Sequence, residues 1–204
     1  MPDRGWLQAR ILDWMMRQMN ELRPATLAPA EGEVLEVGFG TGLNLTYYPA
    51  AVRRVIGIDP LAISSLPALE SRIRSAPFPV ERHALRADGD LPFDSGRFES
   101  VVSTWTLCSI PDPARALKEM RRVLRPDGRF LFVEHGRAPS DSTARWQDRL
   151  NPVWRRIAGG CNMNRPIERL VQDGGFELAS LERFRHRGPR LLAHMYRGVA
   201  TRPA

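Results

Sequence analysis

The chain is short of cysteine, nearly devoid of lysine and free of long apolar runs, and each shortage excludes something. Of its 204 residues only Cys108 and Cys161 are cysteine, neither in a paired motif, and four histidines lie scattered among them. That pattern excludes a disulfide framework and predicts no metal-ligand cluster, with a reducing cytoplasm as the expected compartment. The first 22 residues are rich in Trp, Leu, Ile and Met, but Arg10, Asp13, Arg17, Gln18 and Asn20 interrupt them. No stretch reaches the roughly 20 apolar residues of a membrane span, so neither a transmembrane helix nor a signal peptide is expected. Internal repeats and low-complexity tracts are also absent. Lys118 is the only lysine among 30 basic residues; with the many alanines and prolines, this suggests a GC-rich bacterial genome.

What is present is a basic chain of net charge +7 whose charge is unevenly spread. Residues 1–120 carry 13 basic and 15 acidic side chains, and residues 121–204 carry 17 and 8. A phosphate-binding surface is one reading of that excess; a solvated arginine-rich face is the simpler one, so no nucleic-acid partner is expected. The length fits one domain over 1–204.

Apolar periodicity sets the order of elements. Leu7, Ile11, Met15, Met19 and Leu22 recur at steps of three and four and predict one helix over 6–22, ended by Pro24. It is expected to pack on the core as a cap within residues 1–30, weak contact with a membrane surface being the other reading. A strand over 33–37 leads into a Gly-rich turn and a helix reaching Tyr48. Strand 54–58, helix 62–75, strand 80–86, strand 98–103, helix 112–124, a tight turn at 125–128 and strand 129–134 follow. Alternating strands and helices predict an α/β fold, a parallel sheet covered on both faces. The rhythm breaks over 139–165, read as a substrate-covering insertion whose helical spacing Pro152 kinks or breaks. A helix over 164–173 and strands 176–184 and 191–199, joined at His186-Arg187-Gly188-Pro189, predict a terminal antiparallel hairpin.

Chemistry concentrates at Val34-Leu35-Glu36-Val37-Gly38-Phe39-Gly40-Thr41-Gly42. A buried strand running into alternating glycines exposes backbone N–H groups at a sheet's carboxyl edge. A dinucleotide fingerprint would want glycine at position 43, where leucine stands. Asp59 ends the second strand 17 residues beyond Gly42 and suits ribose hydroxyls. Together they point to a cofactor containing adenosine.

The wider set, Val34 through Asp59-Pro60, Asp88, Leu91-Pro92-Phe93, Arg97-Phe98-Glu99-Ser100-Val101-Val102 and Leu117 through Leu124-Arg125-Pro126-Asp127-Gly128, resembles class I S-adenosylmethionine-dependent methyltransferases. The resemblance implies a Rossmann-like seven-stranded sheet of order 3-2-1-4-5-7-6 with the last strand antiparallel. It implies S-adenosylmethionine as cofactor, leaving as S-adenosylhomocysteine. The methionine moiety would lie against Glu36, Gly38, Phe39, Gly40, Thr41, Gly42 and Asn44. Asp59 would take the ribose, Pro60 would flank the adenine, Asp88 with adjacent Gly89 would accept from the adenine amino group, and Thr104 and Trp105 would sit near the sulfonium.

A narrower resemblance rests on Thr106-Leu107-Cys108-Ser109-Ile110, Phe132-Val133-Glu134-His135, the spaced Trp146, Gln147, Leu150, Pro152 and Trp154, and Gly160-Cys161-Asn162-Met163-Asn164-Arg165. These segments are similar to the alkyl-thiol S-methyltransferases of the methyltransferase-like seven group. Gly42-x-Asn44 and Tyr47-Tyr48-Pro49 fit the same group; Phe39 stands where it has cysteine, and its animal members begin with a membrane anchor.

The resemblance implies a small-molecule methyl acceptor, with a thiol or hydrogen sulfide first and O- or N-methylation of a quinone, lipid headgroup or metabolite second. A thiol attacks as thiolate and needs little general base. His135, directly after the fifth strand, is the candidate to accept or orient its proton. Asn162 and Arg165 are candidates for substrate orientation, and Trp105, Trp146 and Trp154 for an apolar pocket. Cys108 and Cys161 are read as buried apolar side chains.

Overall fold

The computed structural model describes residues 4–60 and 66–203, with side chains of the first helix from Ala9 onward. A seven-stranded sheet runs through the molecule: β1 (Gly32–Val37), β2 (Val52–Ile58), β3 (Val80–His83), β4 (Phe98–Thr104), β5 (Leu124–His135), β6 (Glu177–Arg185) and β7 (His194–Thr201). Its order is β3-β2-β1-β4-β5-β7-β6. β1 to β5 are mutually parallel where they pair, and β7 is antiparallel to both β5 and β6. This is the expected order, with the expected reversed last strand.

Side-chain alternation along the strands explains the two-faced core. Leu35, Val37, Ile56, Ile58, Val101, Phe130 and Phe132 pack on one face with Leu117 and Met120 of α4 (Pro113–Val123) and Ile167 and Val171 of α6 (Ile167–Asp173). Val34, Val55, Val102 and Leu131 point to the other face, against Leu27 of α2 (Arg23–Leu27), Leu69 of α3 (Pro67–Ser75), Leu45 and Tyr48. Each such fully buried side chain contributes about 1.5–3 kcal/mol relative to exposure. α4 begins cleanly because the Asp112 carboxylate accepts the N–H of Arg115 at 3.0 Å and Pro113 occupies the first turn. β1 pairs with β2 on one side and β4 on the other, so the chain reverses its winding at the carboxyl ends of β1 and β4, where such folds open a crevice.

Several local expectations change. The first helix, α1, spans Arg4–Arg17; a 3-10 turn at Asn20–Leu22 follows, and Pro24 lies in the first turn of α2 instead of ending a helix. Proline suits a first turn, where its missing N–H has no helical partner to lose. The predicted apolar face of α1 points outward, Ile11 and Met15 each being 51% exposed. Buried Ala9 and Asp13 face the protein instead, with Leu12 and Met16 at the edge of a cavity. The stretch from Leu43 to Tyr48 forms turns, not a helix: six residues before Pro49 cannot offset the cost of helix nucleation, and Asn44 and Tyr48 commit their side chains to a carboxylate. Part of the predicted 62–75 helix falls outside the described residues; α3 begins at Pro67.

The predicted turn at 125–128 belongs to β5, which starts at Leu124 opposite Phe98, an irregular register between Phe98 and Ser100 absorbing it. α5 (Asp141–Ile157) continues through Pro152 without a break. The hairpin connection extends to Ala193, where His186 N–H meets the Ala193 carbonyl at 2.8 Å. Among the described residues no helix is long and apolar enough to cross a membrane.

Candidate active site

A cavity of about 460 Å³ opens at the carboxyl ends of β1, β2 and β4, within the size range of small-molecule sites. Of the residues singled out from the sequence, Glu36, Gly38, Phe39, Gly40, Thr41, Asp59, Pro60, Asp88, Thr104 and Trp105 line it. Leu12 and Met16 of α1 cover one part; Ser109, Ile110 and Pro111, after β4, and Ala158 and Gly159, after α5, wall another.

Each glycine of the turn answers a separate requirement. Gly38, Gly40 and Gly42 all have positive φ, at 77°, 53° and 71°, where side chains are strained. A Cβ on Gly38 would overlap the Thr106 side chain, whereas one on Gly40 would project into space, its nearest neighbour 3.9 Å away. That open flank is where a ligand can touch backbone. The Gly40 N–H is already held by Asp59 Oδ2 at 2.9 Å, which fixes that carboxylate against the turn. Gly42 does not line the cavity; it lies against Leu69 and Leu45 and lets the turn sit close to the core. Phe39 packs over Gly57, where any side chain would collide with its ring.

Behind the turn lies a buried polar network. Glu36, 2% exposed, accepts the Asn44 side-chain amide on Oε1 at 2.9 Å and the Tyr48 hydroxyl on Oε2 at 2.7 Å. Asn44 also donates to Thr104 Oγ1 at 3.1 Å and accepts Arg23 at its side-chain oxygen. Asn44 is therefore a buttress behind the cavity wall and not part of the wall. Burial pushes the Glu36 carboxyl up to about 7, with Tyr48, Arg23 and Asn44 pulling the other way. Burial likewise lowers the Arg23 pKa, which Glu36 opposes.

Sequence reasoning misses Arg23, because Pro24 beside it reads as a helix end. Arg23 is 3% exposed, lines the cavity, and its guanidinium lies 5.0 Å from the centroid of the Trp105 ring. A buried guanidinium at the carboxyl end of β1 fits the carboxylate of an amino-acid moiety. Trp105 itself has φ +52°, the positive-φ non-glycine of the described residues, and its indole Nε1 is buried without a hydrogen-bond partner. Such strain needs support. Glu134 supplies it: one oxygen accepts Ser103 Oγ at 2.8 Å, Thr106 N–H at 2.9 Å and Leu107 N–H at 3.0 Å, holding the turn on either side of Trp105.

On the opposite side, Asp88 lines the cavity but its carboxylate is taken up by Arg86, at 3.0 and 2.8 Å, and by the Asp112 N–H at 3.2 Å. Burial raises its pKa, and those bonds outweigh it and hold the group below the ordinary range. Gly89 is outside the wall, closing a turn onto the Arg86 carbonyl.

The acceptor-side expectations need revision. Asn162 and Arg165 do not line the cavity. Asn162 donates to the carbonyls of Cys108 and Gly160, both at 2.9 Å, and Arg165 donates to those of Leu107 and Ile110 at 2.7 and 2.6 Å. These are positioning residues that tie the segment after α5 to the turn after β4. Trp146 is 54% exposed and neither it nor Trp154 reaches the cavity; α5 turns Trp146, Leu150, Val153 and Ile157 outward and inserts buried Gln147, which bridges the Ala138 N–H and the Gly136, Met163 and Leu191 carbonyls. Of the 139–165 segment, Ala158 and Gly159 line the cavity.

His135 also stands behind the wall, with Nε2 at 3.1 Å from Cys161 Sγ. Cys108, His135 and Cys161 bring one ligand atom each within 4.8 Å of one another. Three distant segments thus bring together side chains that the sequence reading leaves apart, and plain apolar packing of the two cysteines does not account for an imidazole within reach of Cys161 Sγ. The hydrogen bond with Cys108, helped by His135, holds the Cys161 thiol below the usual thiol range against burial, while the same bond and burial raise Cys108.

Residues 35–132 match a family profile described as "Methyltransferase domain". Human thiol S-methyltransferase TMT1B is 32% identical over 166 residues, 80% of this chain and 68% of its own length. Human thiol S-methyltransferase TMT1A is 34% identical over 151 residues, 73% of this chain and 62% of its own length. The chain thus spans about two thirds of these relatives. A solved structure of the 1,6-didemethyltoxoflavin-N1-methyltransferase of Burkholderia thailandensis, with S-adenosylhomocysteine bound, shares the fold with TM-score 0.70 at 17% identity, over 98% of this chain and 84% of that one.

Proposed function

The chain belongs to the S-adenosylmethionine-dependent methyltransferases, and from that premise we propose that it transfers the methyl group to the sulfur of a small thiol. When bound, S-adenosylmethionine supplies a methyl group on a sulfonium centre, an electrophile that needs no covalent help from the protein. Its fit to this chain follows from the open flank of Gly40, Asp59 fixed at the β2 end and the buried cation of Arg23.

The observation that carries the thiol reading is the chemistry of the acceptor wall. Trp105, Thr106, Ser109, Ile110 and Pro111, with Ala158 and Gly159, line that side, and among these described residues none is a carboxylate, imidazole or amine. An alcohol would need a strong base there; a thiol is far more acidic, and its thiolate is nucleophilic enough to react once held in line with the methyl group. Trp105, held in its strained turn by Glu134, gives that in-line approach a rigid wall. The thiol S-methyltransferases among the relatives support the same acceptor class.

The experiment is a turnover assay of the purified chain with S-adenosylmethionine across hydrogen sulfide, alkyl thiols, catechols, quinols and amines, detecting the methylated product directly. Turnover of thiols with little or none of the rest supports the reading. Methylation of an alcohol, quinol or amine without any thiol product overturns it.

A further inference from the structure

The cluster of Cys108, His135 and Cys161 has no part in holding the cofactor, yet its geometry is tightly held. Its members come from the turn after β4, the last position of β5 and the segment after α5, and they converge with Sγ, Nε2 and Sγ mutually within 4.8 Å. The convergence is pinned from outside. Both the backbone N–H and the side-chain amide of Asn162 donate to the Cys108 carbonyl at 2.9 Å, binding the Cys161 segment to the Cys108 turn. Arg165 clamps the carbonyls on either side of that turn, at Leu107 and Ile110. Apolar packing does not call for two thiols and an imidazole facing one another. A disulfide would leave the imidazole without a role and would need an oxidant.

Two thiolates and one imidazole are a donor set for zinc. Tetrahedral zinc with Zn–S near 2.3 Å and Zn–N near 2.0–2.1 Å separates S from N by about 3.5 Å and S from S by about 3.8 Å. The His135 to Cys161 contact of 3.1 Å needs only a small opening to meet that. Three protein ligands leave a fourth position, the arrangement of reactive zinc sites. Cys161 is the partly exposed member, and its neighbours Ala158 and Gly159, with Ser109 beside Cys108, belong to the cavity wall.

We propose that Cys108, His135 and Cys161 form a zinc site whose open position takes the acceptor thiol as a thiolate. This rests on the thiol reading above. The acceptor S–H proton leaves to solvent as the sulfur coordinates. That sulfur then gives its electron pair to the methyl carbon: the acceptor S–C bond forms, the sulfonium S–C bond breaks, and its pair stays on the cofactor's sulfur. The product sulfide is neutral, a weaker ligand than the thiolate, and leaves.

The test uses the full chain, stripped of metal and then given one equivalent of zinc or cobalt(II). The expected result is one metal retained per chain on dialysis. The cobalt form should show thiolate charge-transfer absorption and tetrahedral visible bands that shift on adding an alkyl thiol and not on adding the matching alcohol. Cys161→Ser and His135→Gln should each weaken metal retention more than tenfold while keeping S-adenosylhomocysteine binding, the check that they fold. Absence of the thiolate signature in the unmutated protein, or thiol methylation at full rate in its metal-free form, overturns the site and leaves the thiol reading standing. Metal binding with the thiolate signature, without methylation of any thiol, overturns the thiol reading and the fourth-ligand assignment together.

Discussion

Arg72 donates to both carboxylate oxygens of Asp13, at 2.6 and 3.2 Å, and to the Thr41 carbonyl at 2.6 Å. One guanidinium of α3 therefore fastens the covering helix α1 to the glycine turn. Substituting Arg72→Ala should free α1, weaken S-adenosylhomocysteine binding by roughly tenfold or more, and expose residues 1–30 to limited proteolysis. Calorimetry and a protease time course check both; unchanged affinity with unchanged cleavage contradicts the tether.

The same pair sets an acid limit. Burial raises the Asp13 pKa, but the bonds from Arg72, Thr41 and Arg17 bring it down to about 2 from 3.8. A depressed folded pKa means stability that is present above 3.8 and lost as pH falls through about 2. After allowance for solvent screening the contribution is about 1 kcal/mol. Asp13→Asn should lose that much at pH 6 and nothing at pH 2, as read from denaturant unfolding.

Glu36 works in the opposite sense. Its folded pKa of about 7 lies above the ordinary 4.5, so the stability it contributes is full below 4.5 and declines as pH rises to 7. The decline reaches up to about 3 kcal/mol. Glu36→Gln, which can still bond Asn44 and Tyr48, should remove this slope, and the difference between the two unfolding curves over pH 4.5–7 measures it. Parallel curves would show that the carboxyl is not held in this way.

The buried guanidinium of Arg23 suits the carboxylate of the cofactor's methionine moiety. Arg23→Gln should weaken S-adenosylhomocysteine by roughly 10- to 100-fold, since hydrogen bonds to charged groups contribute about 1.5–3 kcal/mol. Methylthioadenosine lacks that carboxylate and should bind the variant and the parent alike. Equal weakening of both ligands contradicts the assignment.

Glu134 supports the Trp105 turn through three donors on one oxygen. Glu134→Ala leaves buried donors unpaired and should lower the melting temperature on the order of 10 °C, from a loss of about 3 kcal/mol or more. Glu134→Gln keeps an acceptor in place and should cost about 1 kcal/mol. Differential scanning calorimetry separates the two; a Gln variant as unstable as the Ala variant rejects the hydrogen-bonding account.

Much of this was legible in the chain because it is local. The apolar alternation of β1, β2, β4 and β5, the glycines at 38 and 40, Asp59 at a strand end and Trp105 just past β4 are carried by neighbouring residues, and the structure brings them to one cavity. What escaped depends on distant segments meeting. Arg23 joins the site only because α2 folds against Asn44, and no periodicity announces that contact. Trp146 and Ile157 have the spacing of a buried stripe and lie exposed, since α5 is turned inward by the polar Gln147. Cys108, His135 and Cys161 occupy unrelated stretches, so spacing rules for metal sites could not see them.

The central claim, sulfur as the methyl acceptor in this site, is tested most directly with one molecule that offers both nucleophiles. Mercaptoethanol, incubated with the purified chain and S-adenosylmethionine and analysed by mass spectrometry with fragmentation, should yield the S-methyl product and no O-methyl product. Cysteamine should likewise be methylated on sulfur and not on nitrogen. An O- or N-methyl product with the thiol left free would contradict the account.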